Sequence, residues 1–153
     1  MKPIALRERG VDTALARIGL FAEVQFSTAL RDALNDLIET TGGTTPKLKG
    51  YSGSKPTNIS DAATGTLLFN ITLPSDWMAA SSGGVKSMSG TWSDSSADAS
   101  GTLGYWQLET SGGTVVARGT VGVGSGELQL ASLSIVATQP VNITSFSWTA
   151  PGA

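Results

Sequence analysis

The chain has 153 residues, which suits one domain with a real core and an appendage. Charged residues make up 14%, below the roughly 25% of ordinary soluble domains, and a net charge of −2 is too small to imply nucleic acid or an acidic substrate. With no cysteine and no histidine, disulfides, thiolate nucleophiles, zinc–thiolate sites and the commonest general base are excluded.

Charge is uneven along the chain. Residues 1–55 hold eight Lys/Arg and six Asp/Glu, and residues 56–153 hold two and six, so the two parts net +2 and −4. The start, "MKPIALRERG", is charged where a secretory signal peptide needs an apolar run. No stretch approaches ~20 consecutive apolar residues, so a soluble cytoplasmic product without a membrane span is expected. "VDTALARIGLF" places Val11, Ala14, Leu15 and Ile18 at helical spacing between Gly10 and Gly19. A helix that short is unstable alone in water and needs its own domain or another subunit to lie on.

"FSTALRDALNDLIETTGG" predicts a helix over 27–41. Phe26, Leu30, Ala33, Leu34, Leu37 and Ile38 form one apolar stripe, with Arg31, Asp32, Asn35, Asp36 and Glu39 opposite. Ser27 is the expected N-cap, and Gly42 the expected left-handed stop. The helix is expected to lie across a sheet.

The remainder reads as strands. "KLKGY" (47–51) comes first, then "GTLLFNITL" (65–73), in which Leu67, Phe69, Ile71 and Leu73 form the greasy face and Leu68, Asn70 and Thr72 the other. "GVKSMSGTW" (84–92), "LGYWQLET" (103–110), "GTVVARGTV" (113–121), "ELQLASLSIVA" (127–137) and "VNITSFSWTA" (141–150) follow, separated by Gly/Ser-rich turns. "YWQLETSGGTVVARG" is the clearest hairpin. Two strands change phase midway: Leu128 and Leu130 against Leu133 and Ile135, and Val141 and Ile143 against Phe146 and Trp148. β-bulges near 131–132 and 144–145 would restore one inward face; the alternative is burial of both faces. The expected fold is mainly β: an antiparallel β-sandwich, jelly-roll or Ig-like, of seven to eight strands, over 26–153. One amphipathic helix belongs to it, and an N-terminal arm spans 1–25.

Catalytic chemistry finds no foothold. Asp94 and Asp98 lack the spacing of a calcium loop and read as a Ser/Asp turn. The acids Asp61, Asp76, Asp94, Asp98, Glu109 and Glu127 mark no glycosidase pair. "GTVGVGSG" lacks the lysine and following helix of a phosphate loop. Lys47, Lys49 and Lys55 do not make a nucleic-acid groove. Trp106 shares parity with Leu108 and reads as core, whereas Tyr105, on the other parity, is the candidate surface aromatic. No catalytic residue, metal site or cofactor is expected. The role is binding or assembly.

The order of segments resembles a group of small proteins encoded near the capsid genes of tailed bacteriophages. The likeness runs through "LRDALNDLIETTGG", "YSGSKP" (51–56), "AATGTLLFNITL" (62–73), "SGGV" (82–85), "ADASGTLGYWQL" (97–108), "ARGTVGVGSGELQL" and "VNITSFSWTAP" (141–151). It covers roughly Phe26 to the end. It implies a virion structural protein with a β-sandwich body, foremost a capsid decoration or cement protein on the outer shell. The partners would be the major capsid protein and neighbouring copies of itself in a homo-oligomeric lattice, with no nucleic acid and no membrane. In the arm, Arg7, Arg9 and Arg17 would pair with acids on the shell, and Val11, Leu15 and Ile18 would supply buried area. The alternative is a tail or receptor-binding component, in which Tyr105 and an exposed tryptophan would touch host glycan.

Overall fold

The computed structural model describes residues 24–152. The arm residues Arg7, Arg9, Val11, Leu15, Arg17 and Ile18, and the short helix expected at 11–21, lie outside the described residues.

The helix α1 spans Thr28–Gly42. Ser27 caps it, its Oγ accepting the Leu30 N–H at 3.3 Å. The stop falls one residue later than expected: Gly43 takes φ 72°, and its N–H donates to the Glu39 carbonyl at 2.9 Å. Gly42 has a different task. A Cβ there would stand 2.9 Å from the Trp77 ring, so its bare backbone lets the helix end close on that indole.

Ten strands follow among the described residues: β1 (Lys47–Ser52), β2 (Leu67–Thr72), β3 (Val85–Ser87), β4 (Ser93–Asp94), β5 (Gly101–Glu109), β6 (Val115–Gly122), β7 (Leu128–Gln129), β8 (Ser134–Ile135), β9 (Val141–Asn142) and β10 (Ser145–Thr149). Eight of them form one mixed sheet in the order β2-β1-β5-β6-β7-β10-β3, with β8 also paired to β5. β4 and β9 form a small second sheet. The expected hairpin is β5–β6, with Trp106 opposite Gly119 and Leu108 opposite Ala117. The expectation of a wholly antiparallel sheet fails at β6–β7, which run parallel, Val121 beside Leu128.

Alternation divides β1, β5 and β6 into two faces. Leu48, Gly50, Trp106, Leu108, Ala117 and Gly119 stand in register on the inner one. There Trp106 meets Phe146 edge-on at 5.2 Å, Phe146 meets Trp92 at 5.2 Å, and Trp92 meets Trp77 at 6.0 Å. Trp77, Trp92 and Trp106 are fully buried, so the tryptophans form the centre of the core. Gly119 keeps room for the Trp106 ring, which a Cβ would strike.

Three strand expectations change. In β2, Leu68 is buried with Phe69 and Ile71, while Leu67 is only half-buried. The register jumps from Gly50–Phe69 to Tyr51–Leu67, so Leu68 is the extra residue of a bulge and leaves the outer face. Neither expected bulge in the last third exists. The phase change at 131–132 is a break between β7, which pairs with β6 and β10, and β8, which pairs with β5. That at 144–145 separates β9, on β4, from β10, on β3 and β7. Changing partner, rather than kinking, lets both halves bury their apolar residues: Leu128 and Leu130 then Ile135, Val141 and Ile143 then Phe146.

Candidate functional site

The helix is seated the opposite way round from its sequence pattern. Its polar face meets the body. Asp32 Oδ1 accepts the Gly84 N–H at 2.7 Å and the Ser81 hydroxyl at 2.9 Å. Asn35, fully buried, donates to Ser81 Oγ at 3.1 Å. Arg31 donates from Nε and from one terminal nitrogen to the Ala150 carbonyl, both at 3.3 Å. Lys86 of β3 lies buried beneath the helix, with Nζ 2.7 Å from Asp36 Oδ1 and 3.0 Å from Glu39 Oε2. Burial by itself would lower the Lys86 pKa, but hydrogen bonds to Asp36 and Glu39 outweigh it and hold the pKa above the ordinary lysine value.

The physical reason is that α1 sits on the Ser81–Gly84 turn and the end of β10. Both present backbone groups that need polar partners. Of the apolar stripe, only Ile38 reaches the core. Leu30, Leu34 and Leu37 remain 46%, 37% and 55% exposed. Beside them the helix edge (Leu34, Leu37, Ile38, Thr41), Val116 and Ala117 of β6 and Trp148 of β10 enclose a shallow groove of about 250 Å³. Leu30, Leu34 and Leu37 thus form one exposed apolar row along the helix, bordered by this groove.

The outer face of the β1–β5–β6 sheet carries a polar chain. Lys49 Nζ meets Glu109 Oε2 at 2.7 Å, Gln107 donates to Glu109 Oε1 at 2.6 Å, and Arg118 Nε donates to Gln107 Oε1 at 2.6 Å. The other Arg118 nitrogens hold the Asn58 and Asp61 carbonyls at 3.1 and 2.8 Å. Tyr105 completes this fastening. Its hydroxyl donates to the Thr64 carbonyl at 2.8 Å and accepts the Thr64 N–H at 2.9 Å, and its ring stacks on Tyr51 at 5.3 Å. The surface role expected for Tyr105 is therefore corrected: it is fully buried, because the 53–65 loop folds over that face. Trp106 is core, as its parity implied.

Other clusters are ordinary structure. Asp94 accepts the N–H groups of Asn70 and Ser96 and builds a turn. Among the described residues no group of three or more His, Cys, Asp or Glu could hold a metal, and no helix is long and apolar enough to cross a membrane. Glu127 accepts the Thr120 N–H at 2.7 Å and its hydroxyl at 2.6 Å. Burial alone would raise the Glu127 pKa, but these bonds hold it below the ordinary glutamate value. It borders a cleft of about 300 Å³ with Gly126, Ser147, Trp148 and Thr149.

The polar seating of α1 was missed by sequence reasoning. One signal points to it: residues 56–153 hold only two cations, Lys86 and Arg118, and the three acids Asp32, Asp36 and Glu39 recur on one helix side. No family model gives a significant match to the chain, and neither does a curated protein or a solved structure.

Proposed function

We propose that this is a phage virion structural protein, a decoration or cement protein that sits on the outer shell of the capsid. The observation that carries the reading is the outward leucine flank of α1 with its groove, a surface suited to assembly. The α1 side faces the shell, with the N-terminal segment between them. Arg7, Arg9 and Arg17 pair with acids of the major capsid protein, and neighbouring copies share the lattice, where many weak contacts add up. The resemblance in segment order supports the virion assignment. The finer fold reading, an antiparallel jelly-roll or Ig-like sandwich, belongs to the same proposal; it takes the large sheet and the β4–β9 pair as the two layers.

The tail or receptor-binding reading needs an exposed aromatic platform. Tyr105, Trp77, Trp92 and Trp106 are buried, which leaves Tyr51, stacked on Tyr105, and Trp148, beside Glu127, both half-buried and apart from one another on the sheet, as its Tyr and Trp side chains among the described residues. The shell reading is therefore preferred. Its test is stoichiometry: quantify this chain against the major capsid protein in purified virions. A fixed simple ratio near one per capsid subunit supports the shell. A few to a few tens of copies per particle favours a tail or vertex component, and absence from the particle sinks both.

A further inference from the structure

The large sheet is open at one place near its middle. β7 has two residues, whereas its neighbours β6 and β10 have eight and five. β7 joins β6 in parallel at Val121–Leu128 and β10 antiparallel at Phe146–Leu128. Residues 115–120 of β6 and 147–149 of β10 therefore both overhang β7 at the same end, and the chain ahead of β7 turns away at Gly126, φ 81°. We infer that this gap is a docking slot for an extended segment of a partner chain, which adds a strand between β6 and β10 and places a lysine or arginine beside Glu127. The inference deepens the assembly reading above and rests on it only for the identity of the partner, the shell protein.

Three observations carry it. The first is the direction of the backbone groups, which alternate sides along a strand. The Gly122 carbonyl accepts the Leu130 N–H on the β7 side, and the Thr120 N–H on that side goes to Glu127 Oε2. Arg118, two residues earlier, thus aims its N–H and carbonyl into the gap. On β10 the Phe146 carbonyl and the Ala150 N–H serve the β3 side, while the Ser147 N–H donates across to the Glu127 carbonyl at 3.0 Å. Thr149 therefore aims its N–H and carbonyl into the gap from the other flank. No strand among the described residues pairs with these groups. Unpaired strand edges of this kind take up a further strand.

The second is space. Where β7 lies between them, β6 and β10 stand two strand spacings apart, about 9–10 Å, which is room for one strand. Beyond β7 the same flanks border cavities. One of about 250 Å³ lies between Val116 and Ala117 of β6, Trp148 and the edge of α1; one of about 300 Å³ lies between Gly126, Glu127 and residues 147–149. Trp148 borders both. Three residues of strand, about 10 Å, match the overhang of β10. The residue level with Trp148 turns toward Leu34 as Trp148 does, so an aliphatic side chain suits it. Leu30 lies outside this lining and stays outward with the rest of the flank.

The third is charge. Glu127 Oε2 accepts both the N–H and the hydroxyl of Thr120, so the carboxylate stands at the end of the slot where the carbonyl of a neighbouring strand would otherwise be. No lysine or arginine among the described residues pairs with it. The two cations of residues 56–153 are engaged elsewhere: Lys86 beneath α1, and Arg118 on Gln107, Asn58 and Asp61. A carboxylate beside an indole suits a lysine or arginine side chain, through a charge-assisted hydrogen bond and a cation–π contact.

The test uses the full chain, labelled with nitrogen-15, and a synthetic probe, acetyl-Arg-Thr-Val-Thr-Arg-amide, which presents an arginine at either end whichever way it runs. In the free protein the Arg118 and Thr149 amides should exchange rapidly with solvent. Low-millimolar probe should shift both amides and the Trp148 indole and slow the two exchange rates about tenfold. Glu127→Gln, or a probe with glutamates in place of its arginines, should weaken binding about tenfold. Thr149→Pro removes a donor that faces the slot and no ladder bond, so it should abolish binding, whereas Thr149→Val should keep it.

Arg118 and Thr149 amides already protected in the free chain overturn the inference, and so does a probe that shifts neither of them. Concentration-dependent protection without the probe overturns it too, and assigns the gap to a second copy. If Thr149→Pro fails to fold, the exchange rates in the unaltered chain decide alone. Probe binding by a protein absent from virions sinks only the shell reading, and a virion protein whose slot takes no strand sinks only the slot.

Discussion

Asp32→Ala tests the inverted seating of α1 directly. Asp32 Oδ1 is the acceptor for the Gly84 N–H at 2.7 Å, and Gly84 is buried. Removing the carboxylate strands that N–H, at a cost of about 1–3 kcal/mol. The Ser81 hydroxyl loses less, because it also reaches the Val85 carbonyl at 3.3 Å. Asp32 is half-exposed, so solvent screening trims the charge contribution. A net destabilisation of about 2 kcal/mol follows. With a urea slope of about 2 kcal/mol/M, the unfolding midpoint falls by about 1 M. Asp32→Asn keeps an oxygen acceptor and should cost about half as much. The assay is equilibrium urea unfolding followed by tryptophan fluorescence, with the slope unchanged between variants. If Asp32→Ala lies within about ±0.5 kcal/mol, the value typical of a solvated surface position, α1 is not seated by its polar face.

Three further outcomes follow from the packing. Arg118→Ala removes the donor to buried Gln107 and releases the Asn58 and Asp61 carbonyls, so it should cost about 1–3 kcal/mol and open protease cleavage within 53–65, read by limited proteolysis. Gly119→Ala drives a methyl into the Trp106 ring and should cost about 1–3 kcal/mol by overpacking, with a changed near-UV dichroism signal. Glu127 has a depressed folded-state pKa, so its stabilisation is present above the unfolded value of about 4.3 and is lost as pH falls through the folded value. Glu127→Gln should therefore flatten the acid limb of the stability–pH curve and leave the neutral-to-alkaline slope unaltered.

Strand positions were legible because period-two alternation bounded by Gly-rich turns survives in the sequence: β1, β2, β5 and β6 all fall where alternation places them. The partners of the last third were not. Two-residue strands such as β7 and β9 carry too little pattern to show whether a phase change is a bulge or a change of neighbour. The helix itself was legible from its caps and stripe, but its orientation was not. An amphipathic pattern says that one face is apolar, not that this face meets the chain's own core. That choice was made by the Ser81–Gly84 turn and the β10 carbonyls, whose need for polar partners is invisible in one dimension. Tyr105 misled for a related reason. Its parity correctly put it on the outer face of β5, but the 53–65 loop covers that face, fastened by the Tyr105 hydroxyl to Thr64 and by Arg118 to Asn58 and Asp61, and none of these long-range bonds is visible in the alternation.

The first described residues meet the last ones. The Phe26 N–H finds its acceptor at Gly152, Arg31 finds its own at Ala150, and β3 finds its edge partner in β10. A ribosome making this protein delivers α1 first, the Ser81–Lys86 part of its seat later, and the Ala150 part last of the three. Until the final strand emerges, the polar side of the helix has no carbonyl to hold at residue 150, and the large sheet lacks the strand that joins β7 to β3. Assembly order is thereby built into connectivity: the helix is not fully fastened, nor its outer flank held in its final orientation, before β10 and residues 150–152 have emerged. Removing residues 150–152 would unfasten α1, more than a hundred residues earlier in the chain.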